Sequence, residues 1–383
     1  GETLYFAPLQ EYRKQRHAPE GSWRTDCCPL LTDQYSPGIF LPQRSNDMRF
    51  SFMLRAVFCA ALVLALSLPS VSSAKTIFRI GHTGAPADDF TYGIEQFAKE
   101  LSILTGGEAE CKILGNSVLG SDRIMTEMAQ QGSLDMCNIG QSQIGLFIPT
   151  LIAMDIPFIT DHTKNRQFLE AFNPGGPLYE YVDAQASRIG LKLIMLLDTP
   201  FRGYAFAPRV KISDLESLKG MKVRVTMSAV EQAFVNALGM NPCPMTQGEV
   251  YTALQQGTVD GEIINLASFN SWNRFEVEDK VYMTLHNQAK MFIVMSKLRF
   301  DALSPEMRKN IIEAGRIAQQ KEWDRSAELE AAAAEQCRAR GIALLPVSET
   351  DRARLHELTA PLYERFSEEI DPNFVELIRS VQK

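Results

Sequence analysis

Apolar positions along the chain recur in two alternating rhythms. IFRIG (77–81), AECKILG (109–115), DMCNIG (135–140) and LKLIMLL (191–197) have strand character, and the last, without a break, predicts burial on both faces. Between them lie stretches of helical spacing. DDFTYGIEQFAKELSILTGG (88–107) closes on Gly106 and Gly107, and SDRIMTEMAQQG (121–132) has Ser121 as N-cap and Gly132 as its stop. SDLESLKG (213–220) carries Ser213 and Glu216 at capping-box spacing, and TQGEVYTALQQG (246–257) repeats the device with Thr246 and Glu249. Strand and helix alternate as βα units, which predicts a parallel-rich α/β fold. From Ser304-Pro305 one helical run reaches about Arg340. At 1.5 Å per residue it would be roughly 50 Å long, longer than one lobe is wide, so it predicts a brace across two lobes. No linker or internal repeat separates those lobes, which implies that the chain crosses between them more than once.

LKGMKVRV (218–225) stands out among the strand-like runs. Met221, Val223 and Val225 share one face and Lys222 and Arg224 the other, so Arg224 falls at the carboxyl end of its strand. Ligands in open α/β sheets bind beyond those ends, and clefts between lobes are favoured sites. The competing reading is an arginine paired with a carboxylate at a sheet edge.

Composition narrows the class. The 383 residues are 45% hydrophobic and 22% charged, with a net charge of −7, which carries no electrostatic footprint for nucleic acid. An acidic protein that binds anions does so with a few local cations. Near the start, a basic stretch from Met48 to Arg55 precedes the apolar run 56–69, and Ser72-Ser73-Ala74 supplies small residues for cleavage. This is the grammar of a secretory signal peptide, and the run is short for a membrane span, the alternative being an uncleaved anchor. Residues 48–74 are therefore expected to be removed after Ala74, leaving a mature chain from Lys75. Residues 1–47 read as a leader of doubtful origin, an over-extended gene start or an added segment. Four cysteines remain beyond it, Cys111, Cys137, Cys243 and Cys337, too widely spaced for a zinc site. One disulfide is open to an exported protein, but the apolar flanks favour free thiols.

NSVLGSDRIMTEMAQQGSLDM (116–136), ISDLESLKGMKVRV (212–225) and EVYTALQQGTVDGE (249–262) resemble, in order and spacing, the solute-binding proteins of tripartite ATP-independent periplasmic (TRAP) transporters. The resemblance covers nearly all of the mature chain. It implies a two-lobed α/β periplasmic binding protein with parallel-rich sheets, hinge strands shared between lobes and a long C-terminal helix spanning both. It implies a small organic anion, most often a carboxylate, as ligand and the membrane permease subunits as partners. Approximate lobes are 75–199 plus 289–330, and 200–288 plus 331–383. Arg224 matches the family's selectivity arginine, and its planar fork suits a carboxylate. Arg202 in TPFRGYAF matches a second cleft arginine. Thr83, and less directly His82, lie in GHTGAP (81–86), where the family contacts ligand, and Gln141 falls where some members place a polar contact. The chain departs from the family at DGEIINL (260–266), where Ile264 stands at the position of a ligand-contacting asparagine and Asn265 follows. A one-residue slip on a strand reverses the face, so either a bulge returns Asn265 to the cleft or the pocket is more apolar there. Phe269 and Trp272 read as core aromatics.

No GxSxG, HExxH or Walker-type sequence occurs, and the carboxylates of DIPF (155–158) and EDK (278–280) read as turn or surface groups. The expectation is a binding protein, not an enzyme, periplasmic and monomeric, without cofactor or metal. The alternative is a sensor component using the same cleft.

Overall fold

A computed structural model describes residues 75–383; the proposed signal peptide and the leader before it lie outside the described residues. Among those, eleven strands follow in chain order: β1 (Thr76–Gly81), β2 (Ala109–Leu114), β3 (Met136–Gly140), β4 (Leu191–Leu197), β5 (Gly203–Phe206), β6 (Lys222–Val225), β7 (Asn241–Pro244), β8 (Gly261–Ile264), β9 (Lys280–Met283), β10 (Met291–Ser296) and β11 (Ala343–Pro346). They form two sheets, of order β2-β1-β3-β10-β4 and β11-β9-β5-β8-β6-β7. Each sheet is the centre of one lobe. In the first, β1 pairs in parallel with β2 and β3, and β10 runs antiparallel between β3 and β4. In the second, β6 runs parallel to both β7 and β8. β4 is buried along nearly its whole length, as its unbroken apolar run predicts.

Two short segments carry the chain between the sheets, and the long helix from Pro305 makes a third crossing from β10 to β11. β4 continues into β5 through residues 198–202, and β9 continues into β10 through residues 284–290. The two crossings are tied side by side. Phe201 and Gln288 form an antiparallel bridge, Arg202 N donates to Asn287 O at 2.9 Å, and Thr199 Oγ1 donates to Ala289 O at 2.7 Å. Leu285 in the second crossing has a φ of 49°, in the left-handed region that a non-glycine residue rarely adopts. The crossings are thus short, paired and locally kinked, the build of a hinge.

The long helix is Pro305–Ala339, with the Ser304 hydroxyl accepting from Met307 N. Its first half buries Ile311, Ala314, Gly315, Ala318, Glu322 and Trp323, a stripe at three- and four-residue steps. This half packs on helix Asp89–Leu104 and on β4, and the second half packs on helix Leu266–Ser271 and β11. One helix therefore braces both sheets. Gly315 permits the contact, since a Cβ there would lie 2.7 Å from the Ile194 carbonyl oxygen.

One expectation needs correction. The Ser213–Glu216 capping box does not form. Asp214 Oδ1 accepts from Ser217 N at 2.9 Å instead, and only a single 3₁₀ turn, Glu216–Leu218, follows. The Thr246–Glu249 box is present. Helix Pro372–Ser380 packs back on Pro177–Arg188, where Tyr181 stacks on Phe374 at 4.3 Å and donates to Asp371 at 2.6 Å. The C-terminal residues thus return to the first sheet's side. The four cysteines are free thiols.

Candidate functional site

Between the two sheets lies a cleft with a cavity volume of about 270 Å³. Its first wall comes from the first lobe, including Thr83, Phe90, Asp122 and Ser142, and its second from the other, including Arg224, Thr226, Ile263, Asn265 and Trp272. The strand ends supply the floor, because the backbone beyond each carboxyl end turns away and leaves side chains facing open space.

Arg224 reaches this space from the third residue of β6. Lys222, two residues earlier on the same face, is exposed, whereas Arg224 is only 5% exposed. Its Nε and Nη2 both donate to Met245 O, at 3.2 and 3.1 Å. That carbonyl lies just past β7, in register beside β6. Nη1 has only Glu262 Oε2 near it, at 4.0 Å, beyond hydrogen-bonding distance. Glu262 is fully buried and its other oxygen is held by Arg274. The guanidinium is thus oriented by a neutral carbonyl, shares the Glu262 charge with Arg274 without hydrogen-bonding to it, and borders the cleft. Burial lowers its pKa, the Glu262 and Glu231 charges raising it in turn, and a guanidinium stays charged through such shifts.

Arg202 also lines the cleft, but its charge is matched. Nε donates to Asn287 Oδ1 at 3.0 Å, and Nη2 lies 2.7 Å from Glu231 Oε1, close but off the axis of a good hydrogen bond. Glu231 accepts from Thr226 N and Oγ1 and, across the lobes, from Ser142 Oγ at 2.8 Å. Burial alone would raise its pKa; Arg202, Thr226 and Ser142 outweigh that and hold it at about 2. Asp155 shares Ser142 and is pushed up to about 6 by burial and by Glu231. The DIPF carboxylate is therefore a buried member of this network, not a turn residue. Glu278 of EDK is likewise buried, and burial with the Glu262 charge raises it well above the carboxylate range.

Thr83 faces the cleft with its hydroxyl fixed by Asn138 Nδ2 at 3.1 Å. Asn138 also approaches Asp122 Oδ1 at 3.4 Å, and Asp122 Oδ2 accepts from Gly140 N at 3.0 Å. Sequence reasoning passed over Asp122, although it opens the helix Asp122–Gln130 directly beyond the Ser121 cap. Gln141 borders the cleft, but its amide nitrogen points inward, donating to Met154 O and Gln288 O. His82 is absent from the lining. Its ring packs under Gly115, where a Cβ would sit 2.6 Å from it, and lies edge-on to Phe90. Burial lowers its pKa to about 4, so it is a neutral packing residue near pH 7.

At the family's asparagine position, Ile264 and Asn265 both border the cleft. β8 ends at Ile264, and Asn265 caps the next helix, its Oδ1 accepting from Ser268 N at 2.7 Å. The turn out of the strand, not a bulge within it, is what brings both residues to the same wall. Phe269 is core, as expected, but Trp272 is not. Its ring borders the cleft and its Nε1 donates to Asp88 Oδ2 in the other lobe at 2.7 Å. Among the described residues no cluster of His, Cys, Asp and Glu is set to hold a metal ion.

Two lobes, a paired hinge and a cleft bordered by a buried guanidinium whose hydrogen bonds go to a carbonyl define a class: a binding protein that encloses a small anion between lobes. The chain belongs to bacterial extracellular solute-binding protein family 7, whose model matches residues 80–369. It is similar to a solute-binding protein of Verminephrobacter eiseniae, 29% identical over 82% of this chain and 91% of the relative. A TRAP periplasmic solute-binding protein of Roseobacter denitrificans, solved with bound β-D-glucuronate, superposes with a TM-score of 0.73 at 27% identity, covering 80% of this chain and 99% of that one. The sugar acid binding protein of Advenella mimigardefordensis, solved with galactonate, gives 0.75 at 25% identity over 80% and 98%.

Proposed function

We propose that this protein captures a small hydroxylated carboxylate in the periplasm and presents the closed complex to a TRAP-type membrane permease. The observation that carries the reading is Arg224, a buried guanidinium whose only hydrogen-bond partner is a carbonyl and whose remaining edge meets the cleft. A ligand carboxylate gives that edge a directly bonded anionic partner, and two aligned N–H···O bonds are what its fork is shaped to give. Thr83, Asp122 and Asn265 add fixed acceptors and donors for hydroxyl groups, while Phe90, Ile264 and Trp272 offer an apolar face. The cavity lies near the lower end of small-molecule sites, about 300 Å³ and upward, which favours a compact acid. The glucuronate and galactonate bound by the two relatives are of that kind.

The protein acts by shifting an equilibrium. An anion that bridges Arg224 of the second lobe and polar groups of the first binds the closed form better, and that difference drives closure about the hinge at residues 198–202 and 284–290. It works without catalysis, as a monomer, after cleavage behind Ala74. Thermal-shift screening against an organic-acid library tests the reading. Acids of this class should raise the melting temperature, increasingly with ligand excess. Stabilisation by neutral or cationic solutes but by no acid would contradict it.

A further inference from the structure

Asp88 breaks a local rule. It occupies the N-cap of helix Asp89–Leu104, where a carboxylate ordinarily accepts from the helix's own first N–H groups. Here it makes no such bond. Oδ2 accepts from Ala85 N at 2.8 Å and from Trp272 Nε1 at 2.7 Å, and Oδ1 accepts from the Ser271 hydroxyl. Ser271 and Trp272 end a helix of the second lobe, whereas Asp88 belongs to the first. The side chain has given up its own helix for a contact across the lobes.

Trp272 is the partner that makes this consequential. Its half-buried ring packs against the apolar cores of both lobes. The Arg274 guanidinium lies over it at 5.6 Å. One side of this contact is the ligand cleft, which Phe90, Ser268 and Trp272 border. On the other is a second cavity of about 260 Å³, bordered by Asp88, Ser271, Asn270, Ala333 and Arg340. The contact is the wall between them.

We propose that Asp88 is an interlobe latch: by holding Ser271 and the Trp272 indole it completes the ligand cleft on the side of the long helix, and it does so only in the closed arrangement. Asp88 is thus a positioning residue, acting on the ligand through Trp272. The latch lengthens residence of any ligand without selecting among them, because Asp88 itself does not border the cleft.

The test uses the full chain with Trp23→Phe and Trp323→Phe, which leaves Trp272 as the single indole of the three. Asp88→Ala, Asp88→Asn and Ser271→Ala are compared in that background, each checked for cooperative unfolding. Trp272 emission and acrylamide quenching are read without ligand and with D-glucuronate and D-galactonate. Loss of the latch should redden the emission and raise quenching. It should weaken both acids by the same factor, ~10-fold or more for Asp88→Ala from the loss of charge-assisted hydrogen bonds, chiefly through faster dissociation. Ser271→Ala, which keeps the carboxylate and the indole bond, should show a smaller effect in the same direction, and it carries the test if Asp88→Ala does not fold. Unchanged emission and quenching in every folded variant, or affinity within twofold of the parent, would overturn the latch. Failure of both acids to bind the parent would count against the ligand class proposed above, and the quenching comparison would still decide the latch.

Discussion

Replacing Glu231 by Gln removes a charge from the most enclosed ion pair of the cleft while keeping its shape. The carboxylate is 3% exposed, and its partner Arg202 is 4% exposed. Truncating one partner of a buried pair costs about 3–5 kcal/mol, because the other charge is left without compensation. The pKa gives an independent figure. Glu231 falls from 4.5 to about 2 on folding, and at 1.36 kcal/mol per unit that is roughly 3 kcal/mol. The folded value is depressed, so this stability is present above pH 4.5 and is lost as pH falls through about 2. One effect works against the loss. Asp155 lies beside Glu231 and is held up at about 6 by burial and by that neighbour. At pH 7 it is already largely ionised, so without Glu231 the repulsion between the two carboxylates is relieved and the Asp155 charge offsets part of that on Arg202. Urea unfolding at pH 7 should therefore show Glu231→Gln destabilised by ~2 kcal/mol, and Glu231→Gln with Asp155→Asn by more than the sum of the two single changes. A loss below ~0.5 kcal/mol in the single variant, or strict additivity in the double, would refute the network as described.

His286 is fully buried, stacked on Tyr204, and burial with the Arg202 charge lowers it to about 3. The unfolded chain then binds the extra proton, so stability falls as pH drops from about 6.5 toward 3, and His286→Phe should flatten that part of the pH–stability curve measured by urea unfolding. Gly315→Ala should destabilise by ~1–3 kcal/mol, since its Cβ meets the Ile194 carbonyl and must push the long helix off β4; a neutral result in thermal unfolding would remove the close approach from the account. Mass analysis of exported protein should give Lys75 as its first residue, and a full-length product would contradict the signal reading.

Much of this structure was legible in the pattern of apolar residues. The strands at 77–81, 109–114 and 191–197 and the long helix from Pro305 announce themselves by periodicity and by Ser304, because each buries a continuous face. The second lobe's short strands, four residues each, carry too few periods to read in this way. Arg224 was visible because a cation on a strand's last turn is costly unless something answers it. What sequence could not supply was partnership. Arg202 and Arg224 look alike in one dimension, yet Glu231, from the helix Ala229–Ala237, lies 2.7 Å from the first, whereas the second has only a carbonyl within hydrogen-bonding distance and a Glu262 carboxylate at 4.0 Å that Arg274 shares. Trp272 looked like core because its half-buried ring packs against the cores of both lobes while bordering the cleft between them. Asp155 and Glu278 looked like surface because burial of a carboxylate depends on contacts far along the chain. His82 fell beside Thr83 on the same loop but packs on the opposite side of it, under Gly115.

The central claim is that Arg224 receives the ligand's anionic group. Calorimetric titration of the parent, Arg224→Lys and Arg224→Ala with the acid that the thermal screen yields tests it directly. Arg224→Lys keeps charge but loses the planar fork, so it should bind with intermediate affinity. Arg224→Ala should lose about 2–5 kcal/mol of binding, about 30-fold to several thousand-fold in Kd at 1.4 kcal/mol per decade, with folding little changed. Binding by folded Arg224→Ala within threefold of the parent would make Arg224 a structural group and would contradict the assignment of the cleft.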